Sequence, residues 1–392
     1  MTKNNLKNLE IYIHIPFCVR KCSYCDFLSF PYDREGQRAY MEALFAEIEG
    51  KSAKYSDYQV TSVFIGGGTP SILPGEWIRE LMDRIRNCFC FAENTEHVIV
   101  PEITIEVNPG TADAEKLAIY HQAGINRLSI GLQSADDEEL QKLGRIHSYK
   151  QFMDTYGAAR EAGFANINVD IMSALPGQSL DSYRRTLEKV LSLTPSPEHI
   201  SAYSLIVEEG TPFARLDEDG KLDLPDEDCE RAMYEETKRI LGEAGLYRYE
   251  ISNYARPGYE CRHNCGYWER VDYVGFGIGA ASLVGNRRFN NGRDLQKYLN
   301  DPLRCCENMQ ELSKEEQMEE TMFLGLRMTR GVSLSEFEKT YGQTMEQVYG
   351  PVIEKNIGDG LLEYRMEGTT GYLALTGKGL DVSNYVMADF IM

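Results

Sequence analysis

Short runs of β-branched and other apolar residues alternate with longer stretches of helical periodicity between residues 10 and 255. The runs at residues 10–15, 61–65, 102–107, 127–132, 166–171 and 199–205 are the predicted strands. Repeated strand-helix units predict a parallel sheet with right-handed crossovers, and six units are fewer than the eight that close a TIM barrel. The pattern therefore predicts an α/β fold with an open, partial (βα)6 TIM-like barrel over residues 1–255.

The alternation of predicted strands and helices ends after residue 255. Residues 256–309 are rich in Gly, Asn, Cys and aromatic residues, and we expect a connector that returns to the barrel mouth. Residues 310–392 show helical stretches at 313–328 and 333–341, short strands at 361–365 and 372–375 around a turn at 368–371, and a last helix. This order predicts a winged-helix-like α+β domain. Because residues 311–392 hold 14 acidic and 7 basic side chains, we expect a lid or docking surface instead of a DNA-binding module.

Charge and cysteine content narrow the function classes. The 392 residues carry a formal net charge of -20, which repels polyanions, so nucleic acid is not expected as a partner. The sequence shows neither the apolar core of a signal peptide nor the roughly 20 apolar residues of a membrane span. Ten cysteines in such a chain indicate thiolate ligands or buried thiols, and we expect a cytoplasmic protein.

Three of the cysteines follow the first predicted strand directly. Cys18, Cys22 and Cys25 are spaced by four and three residues. Cysteine thiolates hold iron-sulfur clusters, and a 4Fe-4S cluster with three protein ligands keeps one iron open for another ligand. Two other interpretations remain, because the same spacings align thiols on one face of a helix and because zinc also binds thiolates, although it usually takes four ligands. The polar, proline-flanked loop favours the cluster.

This cysteine loop resembles that of the radical S-adenosylmethionine superfamily, and further motifs follow it in order. They are Gly66-Gly-Gly68-Thr69-Pro70, Glu106-Val-Asn108-Pro109, Gly131-Leu-Gln133-Ser134, Leu143-Gly-Arg145-Ile-His147, and Asp170 in the fifth strand. Active sites of βα barrels gather at the carboxyl ends of the strands, which is where these motifs fall. With its C-terminal region included, nearly the whole chain resembles the oxygen-independent coproporphyrinogen III oxidase group.

The resemblance implies a 4Fe-4S cluster and S-adenosylmethionine as cofactors. It implies that the contacts to S-adenosylmethionine are Tyr12, Tyr24, Gly67, Gly68, Thr69, Glu106, Gln133, Arg145 and Asp170, with Ala281 as a further position. Acceptors, an amide and a fixed cation suit a zwitterion and a ribose, and glycine lets backbone amides approach a ligand closely. No residue is assigned a catalytic role, because the cofactor carries the hard chemistry and the protein positions it.

Two differences separate this chain from the oxidases of the group. The oxidases carry a fourth cysteine two residues after the third, where this sequence has Phe27, and their N-terminal extension before the loop is longer. Residues 262–268 instead resemble the H-N-x-x-Y-W signature of HemW-type haem chaperones, which bind haem and pass it to haem proteins, respiratory enzymes among them. The resemblance implies haem as cargo and haem-accepting proteins as partners. It makes His263, Cys265, Tyr267 and Trp268 the candidate haem residues.

The alternative function is an enzyme of porphyrin metabolism, either an oxygen-independent coproporphyrinogen III oxidase or a radical enzyme that modifies haem. Phe27 and the segment around His263 favour the chaperone. A His-Asn loop with a Tyr-Trp pair is also typical of a buried, hydrogen-bonded connector, and Cys261 with Cys265 and His263 could ligate zinc.

Overall fold

The computed structural model describes residues 6–92 and 100–391. Within these ranges the strands are β1 (Lys7–Ile15), β2 (Tyr58–Gly67), β3 (Cys90–Phe91), β4 (Glu102–Val107), β5 (Arg127–Gln133), β6 (Ile167–Ser173), β7 (His199–Ser204), β8 (Tyr247–Arg248), β9 (Asn253–Ala255), β10 (Tyr273–Phe276), β11 (Ala281–Val284), β12 (Arg287–Asn291), β13 (Cys306–Glu311), β14 (Val332–Ser333), β15 (Leu362–Glu367) and β16 (Thr370–Leu375).

The helices in the same ranges are α1 (Arg34–Ser52), α2 (Gly75–Cys88), α3 (Ala114–Gln122), α4 (Asp137–Lys142), α5 (Tyr149–Glu161), α6 (Leu180–Leu191), α7 (Pro212–Glu218), α8 (Glu227–Glu243), α9 (Arg262–Trp268), α10 (Leu295–Asn300), α11 (Lys314–Gly325), α12 (Leu334–Tyr341), α13 (Met345–Gly358), α14 (Gly377–Asp381) and α15 (Ser383–Ala388). Of these described helices, none is long and apolar enough to cross a membrane.

Six parallel strands form the predicted partial barrel in the order β1-β2-β4-β5-β6-β7. Each lies where the alternation of apolar runs and helical stretches predicts a strand, with ends that differ by at most three residues. The sheet does not close, because β10 pairs with the free side of β1 and β9 pairs antiparallel with β7. The prediction of an α/β partial barrel is confirmed.

Strand β4 shows how the sequence gives the barrel a polar interior. Ile103, Ile105 and Val107 are buried in the apolar core shared by the sheet and the outer helices. Glu106 lies on the opposite face and lines a cavity inside the barrel. Side chains alternate between the two faces of a strand, so one face of β4 stabilises the fold while the other is free to carry chemistry. Each fully buried aliphatic side chain contributes about 1.5–3 kcal/mol.

The expectation that residues 256–309 form a connector to the barrel mouth is wrong. Strand β10 pairs in parallel with β1, and β11, β12 and β13 extend the same sheet by antiparallel pairing. The buried carboxylate of Glu47 in α1 fixes this extension. It accepts hydrogen bonds from the Gly277 N–H (2.9 Å), the Asn291 amide (2.8 Å) and the Tyr298 hydroxyl (2.7 Å). Because β10 must begin beside the start of β1, the preceding helix α9 lies at the amino-terminal end of the barrel, opposite the mouth.

The C-terminal residues pack around an apolar core of their own, which includes Met322, Phe337 and Leu373. Helices α11 to α13 and the antiparallel sheet β14-β16-β15 form this region, which confirms the prediction of a winged-helix-like α+β fold. The sequence pattern does not predict α13, because Pro351 in its interior is a helix breaker. Burial of Tyr349, two residues before the proline, and of other apolar residues of α13 outweighs that penalty.

Candidate functional site

A cavity of about 430 Å³ lies inside the barrel and reaches the cysteine loop. Its wall contains the three loop thiols, Cys18, Cys22 and Cys25. Nine of the ten predicted contacts to S-adenosylmethionine also line it, namely Tyr12, Tyr24, Gly67, Gly68, Thr69, Glu106, Gln133, Arg145 and Asp170. Residues from β1, β2, β4, β5 and β6 thus meet in one place, as the carboxyl ends of parallel strands do.

Backbone hydrogen bonds fix the cysteine loop against the barrel. The N–H of Cys18 donates to the carbonyl of Phe30 (3.1 Å), and the N–H of Phe30 donates to the carbonyl of Pro16 (2.9 Å). These two bonds close the base of the loop. Near its tip, the N–H of Ser23 donates to the carbonyl of Leu143 (3.0 Å), which follows α4. The loop is therefore held at both ends, and its thiols keep a defined orientation towards the cavity.

Each thiol has a polar or enclosed environment. Cys18 Sγ lies 3.4 Å from Thr69 Oγ1, and Cys22 Sγ lies 3.7 Å from Nη1 of Arg145. Burial raises the pKa of the Cys25 thiol, an effect partly offset by the backbone of Phe27. A positively charged group bound by all three thiolates would remove that penalty, because metal binding displaces the thiol proton.

The thiols are not packed around a single point. In the described ranges, no three His, Cys, Asp or Glu side chains are close enough together to hold one metal ion. Zinc usually takes four protein ligands at about 2.0–2.3 Å from one centre, whereas the loop offers three thiols. A 4Fe-4S cluster is wider and takes one thiolate on each of several irons. Three free thiols around one cavity fit such a cluster.

Two enclosed carboxyl groups, Glu106 and Asp170, face the cavity from β4 and β6. Burial raises the pKa of Glu106 to about 8, and the proximity of Asp170 adds to this effect. Burial also raises the pKa of Asp170, although the Asn168 amide donates to its Oδ1 at 2.6 Å. The N–H of Gly67 donates to Glu106 Oε2 at 3.0 Å. A cationic ligand would stabilise the ionised form of both acids, which suits the ammonium and sulfonium groups of S-adenosylmethionine.

A buried cation and an oriented amide stand on the same wall. Nη2 of Arg145 donates to the Gly131 carbonyl (2.6 Å) and to Asn108 Oδ1 (2.9 Å), whereas its buried Nε has no hydrogen-bond partner. The Tyr203 hydroxyl donates to Gln133 Oε1 at 2.9 Å, which orients the amide. The guanidinium is thus fixed with a donor to spare, and a ligand carboxylate is the group that would satisfy it.

The glycines after β2 allow close contact with the cysteine loop. The N–H of Gly68 donates to the Ile15 carbonyl at 2.8 Å, and a Cβ on Gly68 would lie 2.7 Å from the Phe17 carbonyl oxygen. Gly67 has φ +110, a conformation that other residues adopt only with strain. Larger residues here would push the loop away from the barrel.

Helix α9, which carries the H-N-x-x-Y-W segment, closes the amino-terminal end of the barrel. The N–H groups of Arg262 and His263 each donate to the carboxylate of Glu102, the first residue of β4, at 3.2 Å. Gly266 lies so close to Glu10 of β1 that a Cβ would overlap the carboxyl group. His263 and neighbouring residues of α9 therefore form the floor of the cavity.

Both ring nitrogens of His263 already have hydrogen-bond partners. Its Nδ1 lies 2.8 Å from Ser62 Oγ, and its Nε2 lies 3.0 Å from the Tyr267 hydroxyl. The ring also stacks on Phe64, with centroids 5.2 Å apart. Burial lowers the pKa of His263 to about 3, so the imidazole is neutral near pH 7. Binding of iron by Nε2 would require the bond to Tyr267 to break.

The other two candidate haem residues lie on a different side of α9. Cys265 and Trp268 pack in a small apolar cluster with Tyr249 and Met328. Burial raises the pKa of the Cys265 thiol. The guanidinium of Arg327 lies over the Trp268 ring, 4.3 Å from its centroid. The structure thus brings His263 and Tyr267 together but leads Trp268 away from the barrel cavity.

Comparison with known proteins identifies the family. The model of the radical SAM superfamily matches residues 12–190, and that of the HemN C-terminal domain matches residues 312–382. The heme chaperone HemW of Bacillus subtilis (strain 168) is 38% identical over 386 residues, which cover 97% of this chain and 98% of that protein. This chain belongs to the HemW family. The heme chaperone HemW of Escherichia coli (strain K12) is 39% identical over 74% of this chain and 73% of its own length.

Among solved structures, the coproporphyrinogen III oxidase HemN from Escherichia coli, described as a radical SAM enzyme, covers 100% of this chain with a TM-score of 0.83. The match extends over 92% of the HemN chain at 22% identity, which shows a shared fold. The identity to HemW and the match of residues 12–190 to the radical SAM model confirm the resemblances to both families. The superfamily implies a 4Fe-4S cluster and S-adenosylmethionine. In this HemW chain, Phe27 borders the cavity and is 63% exposed.

Ala281 is the predicted contact that this HemW structure does not bring to the cavity. It begins β11, and its side chain is exposed to solvent. Strand β11 runs antiparallel to β10 on the outer extension of the sheet, beyond β1. A residue of this extension can therefore match a site motif in sequence and still lie outside the barrel.

Several polar residues of the cavity wall were not predicted from the sequence. Arg127 and Ser129 precede Gln133 on β5, each by an even number of residues, and both line the cavity. Asn168 likewise precedes Asp170 by two residues on β6. The signal was present in the sequence, because every second residue of a strand shares a face. Counting back two positions at a time from each predicted contact would have found them.

Proposed function

We propose that this HemW-family chain is a haem chaperone that holds a 4Fe-4S cluster on Cys18, Cys22 and Cys25, binds S-adenosylmethionine beside it, and delivers haem to haem proteins such as membrane respiratory enzymes. The observation that carries the proposal is the shared cavity, in which three free thiols face two enclosed carboxyl groups and an unsatisfied guanidinium. When bound, the cluster and S-adenosylmethionine would supply one-electron chemistry.

The polar residues of the cavity wall suit different groups of S-adenosylmethionine. Glu106 and Asp170 suit its ammonium and ribose groups, and Arg145 suits its carboxylate. Gln133, oriented by Tyr203, can donate its amide to the same ligand. Tyr12, Tyr24, Gly67, Gly68 and Thr69 complete the enclosure. The residues bind and orient the ligand and exclude water, and none of them is assigned a proton-transfer step.

Haem is the proposed cargo, with α9 as the element that recognises it. His263, Cys265, Tyr267 and Trp268 are the candidate residues, and their placement on two sides of α9 means that one porphyrin cannot contact all four without rearrangement. We also propose that residues 310–392 act as a separate domain and that the protein works in the cytoplasm, where its ten free cysteines would stay reduced.

Anaerobic reconstitution followed by haem titration tests this function. The protein with cluster, reductant and S-adenosylmethionine present should give a stoichiometric haem difference spectrum and should not convert coproporphyrinogen III to protoporphyrinogen IX. His263→Ala is compared with His121→Ala, a matched change at an exposed histidine of α3. Efficient formation of protoporphyrinogen would establish the oxidase function despite Phe27. Absence of a haem band at micromolar protein would remove the chaperone function.

A further inference from the structure

A second cavity, of about 650 Å³, lies between the carboxyl end of α9 and the C-terminal domain. Trp268 and Arg270 line it from one side, and Arg330, Phe337 and Tyr341 line it from the other. Its volume is within the roughly 300–1,000 Å³ of small-molecule sites. The barrel cavity and this second cavity therefore flank the same short helix.

The barrel cavity is a poor site for a porphyrin. It is the smaller of the two, at about 430 Å³, and the thiols and predicted S-adenosylmethionine contacts already occupy its wall. A chain that binds haem together with these cofactors needs a second site for the large, flat, apolar ring.

The second cavity has an aromatic wall with an unused donor. Phe337 and Tyr341, two largely buried side chains of the C-terminal core, form a tilted pair with centroids 4.8 Å apart, and Trp268 lines the same cavity. The buried indole Nε1 of Trp268 has no hydrogen-bond partner. A buried donor without a partner costs free energy, and a ligand that carries an acceptor would remove that cost.

Two arginines supply positive charge at the same place. Arg270 is held by the buried Glu320, with Nε to Oε2 at 3.0 Å, and also donates to the Tyr341 hydroxyl at 3.2 Å. Arg330 pairs with Glu269, and both side chains are about half exposed. An exposed pair of this kind contributes little stability, so a ligand carboxylate can replace Glu269 at low cost. Arg330 is therefore the residue available to a propionate.

We propose that the porphyrin ring of the haem cargo binds in this second cavity, against Trp268, with a propionate at Arg330. The inference rests on the proposed chaperone function and deepens it, because it moves the cargo from the barrel floor at His263 to the junction with the C-terminal domain. Haem and S-adenosylmethionine then occupy different cavities on either side of α9 and bind at the same time.

The test blocks the cavity without touching the barrel. Ser335 lines the cavity and is exposed on α12, so Ser335→Trp should fill the space. Glu338→Trp is the matched control, since Glu338 is exposed on the same helix and does not line the cavity. Ser335→Trp should weaken haem binding at least about tenfold, and Arg330→Gln about tenfold, whereas Glu338→Trp should leave it unchanged. Affinity for S-adenosylmethionine, measured on each variant, reports that the barrel remains intact.

The outcomes separate this inference from the proposed function. Suppose that the wild type binds haem, that His263→Ala loses this binding, and that Ser335→Trp and Arg330→Gln keep it. The cargo site is then the barrel floor, and the inference is wrong while the chaperone function stands. Competition between haem and S-adenosylmethionine would likewise place the cargo in the barrel. If the wild-type protein does not bind haem, both the function and the site fail.

Discussion

Replacing Glu106 by glutamine tests whether the enclosed carboxyl group is kept for a ligand at the expense of stability. Glu106 lies inside the barrel, where burial and the neighbouring Asp170 raise its pKa from 4.5 to about 8. Near pH 7 the folded protein without ligand therefore holds a proton on this group, and the unfolded chain has lost it. Glutamine has nearly the same shape and carries no proton to lose.

The sign and size of the effect follow from this difference. Because the folded pKa lies above the unfolded one, the stability that the bound proton provides is present below pH 4.5 and is lost as pH rises towards and through 8. The slope inside this window is about 1.4 kcal/mol per pH unit. Between pH 6 and pH 9, Glu106 alone should lower the free energy of unfolding by about 2.5 kcal/mol. The variant Glu106→Gln should not show this loss.

Urea denaturation of the protein without ligand, at pH 6 and pH 9, measures the effect. Groups away from Glu106 and its neighbour Asp170 titrate alike in both proteins, so the difference between wild type and variant reports on this pair of carboxyl groups. The variant should gain relative stability at pH 9 and yet bind S-adenosylmethionine more weakly, by roughly 1–3 kcal/mol. Glu115→Gln, at an exposed position of α3, is the control and should change neither quantity. Parallel stability curves for wild type and Glu106→Gln would refute the reasoning.

Three further outcomes are expected. Simultaneous Cys→Ala changes at Cys18, Cys22 and Cys25 should abolish the reconstituted iron and sulfide, and full retention of both would place the cluster elsewhere. Asp170→Asn should weaken S-adenosylmethionine binding by roughly 1–3 kcal/mol by calorimetry, and an unchanged affinity would move the ligand away from β6. Glu47→Ala should lower the free energy of unfolding by about 3–5 kcal/mol, because it leaves the buried Lys51 without its partner, and a loss below about 1 kcal/mol would show that the network is not needed.

The sequence by itself determined the barrel and most of the candidate site. The alternation of apolar runs with helical stretches is a local property, and it placed all six parallel strands. Motifs at strand ends inherit their position from the strands, since the carboxyl ends of parallel strands meet at one edge. For this reason the amino-acid pattern alone is enough to assign Cys18, Glu106 and Asp170 to one cavity.

Only the tertiary structure decided what residues 256–309 do. Their composition resembles that of a connector, yet β10 pairs with β1, with Tyr273 opposite Glu10. This pairing places α9 at the floor of the barrel. The same pairing carries Ala281 outside the barrel, and it places Trp268 against the C-terminal domain. A sequence pattern indicates which face of an element is apolar but not which distant strand or domain will cover that face. That choice is made by contacts between residues more than two hundred positions apart, and these contacts exist only once the chain has folded.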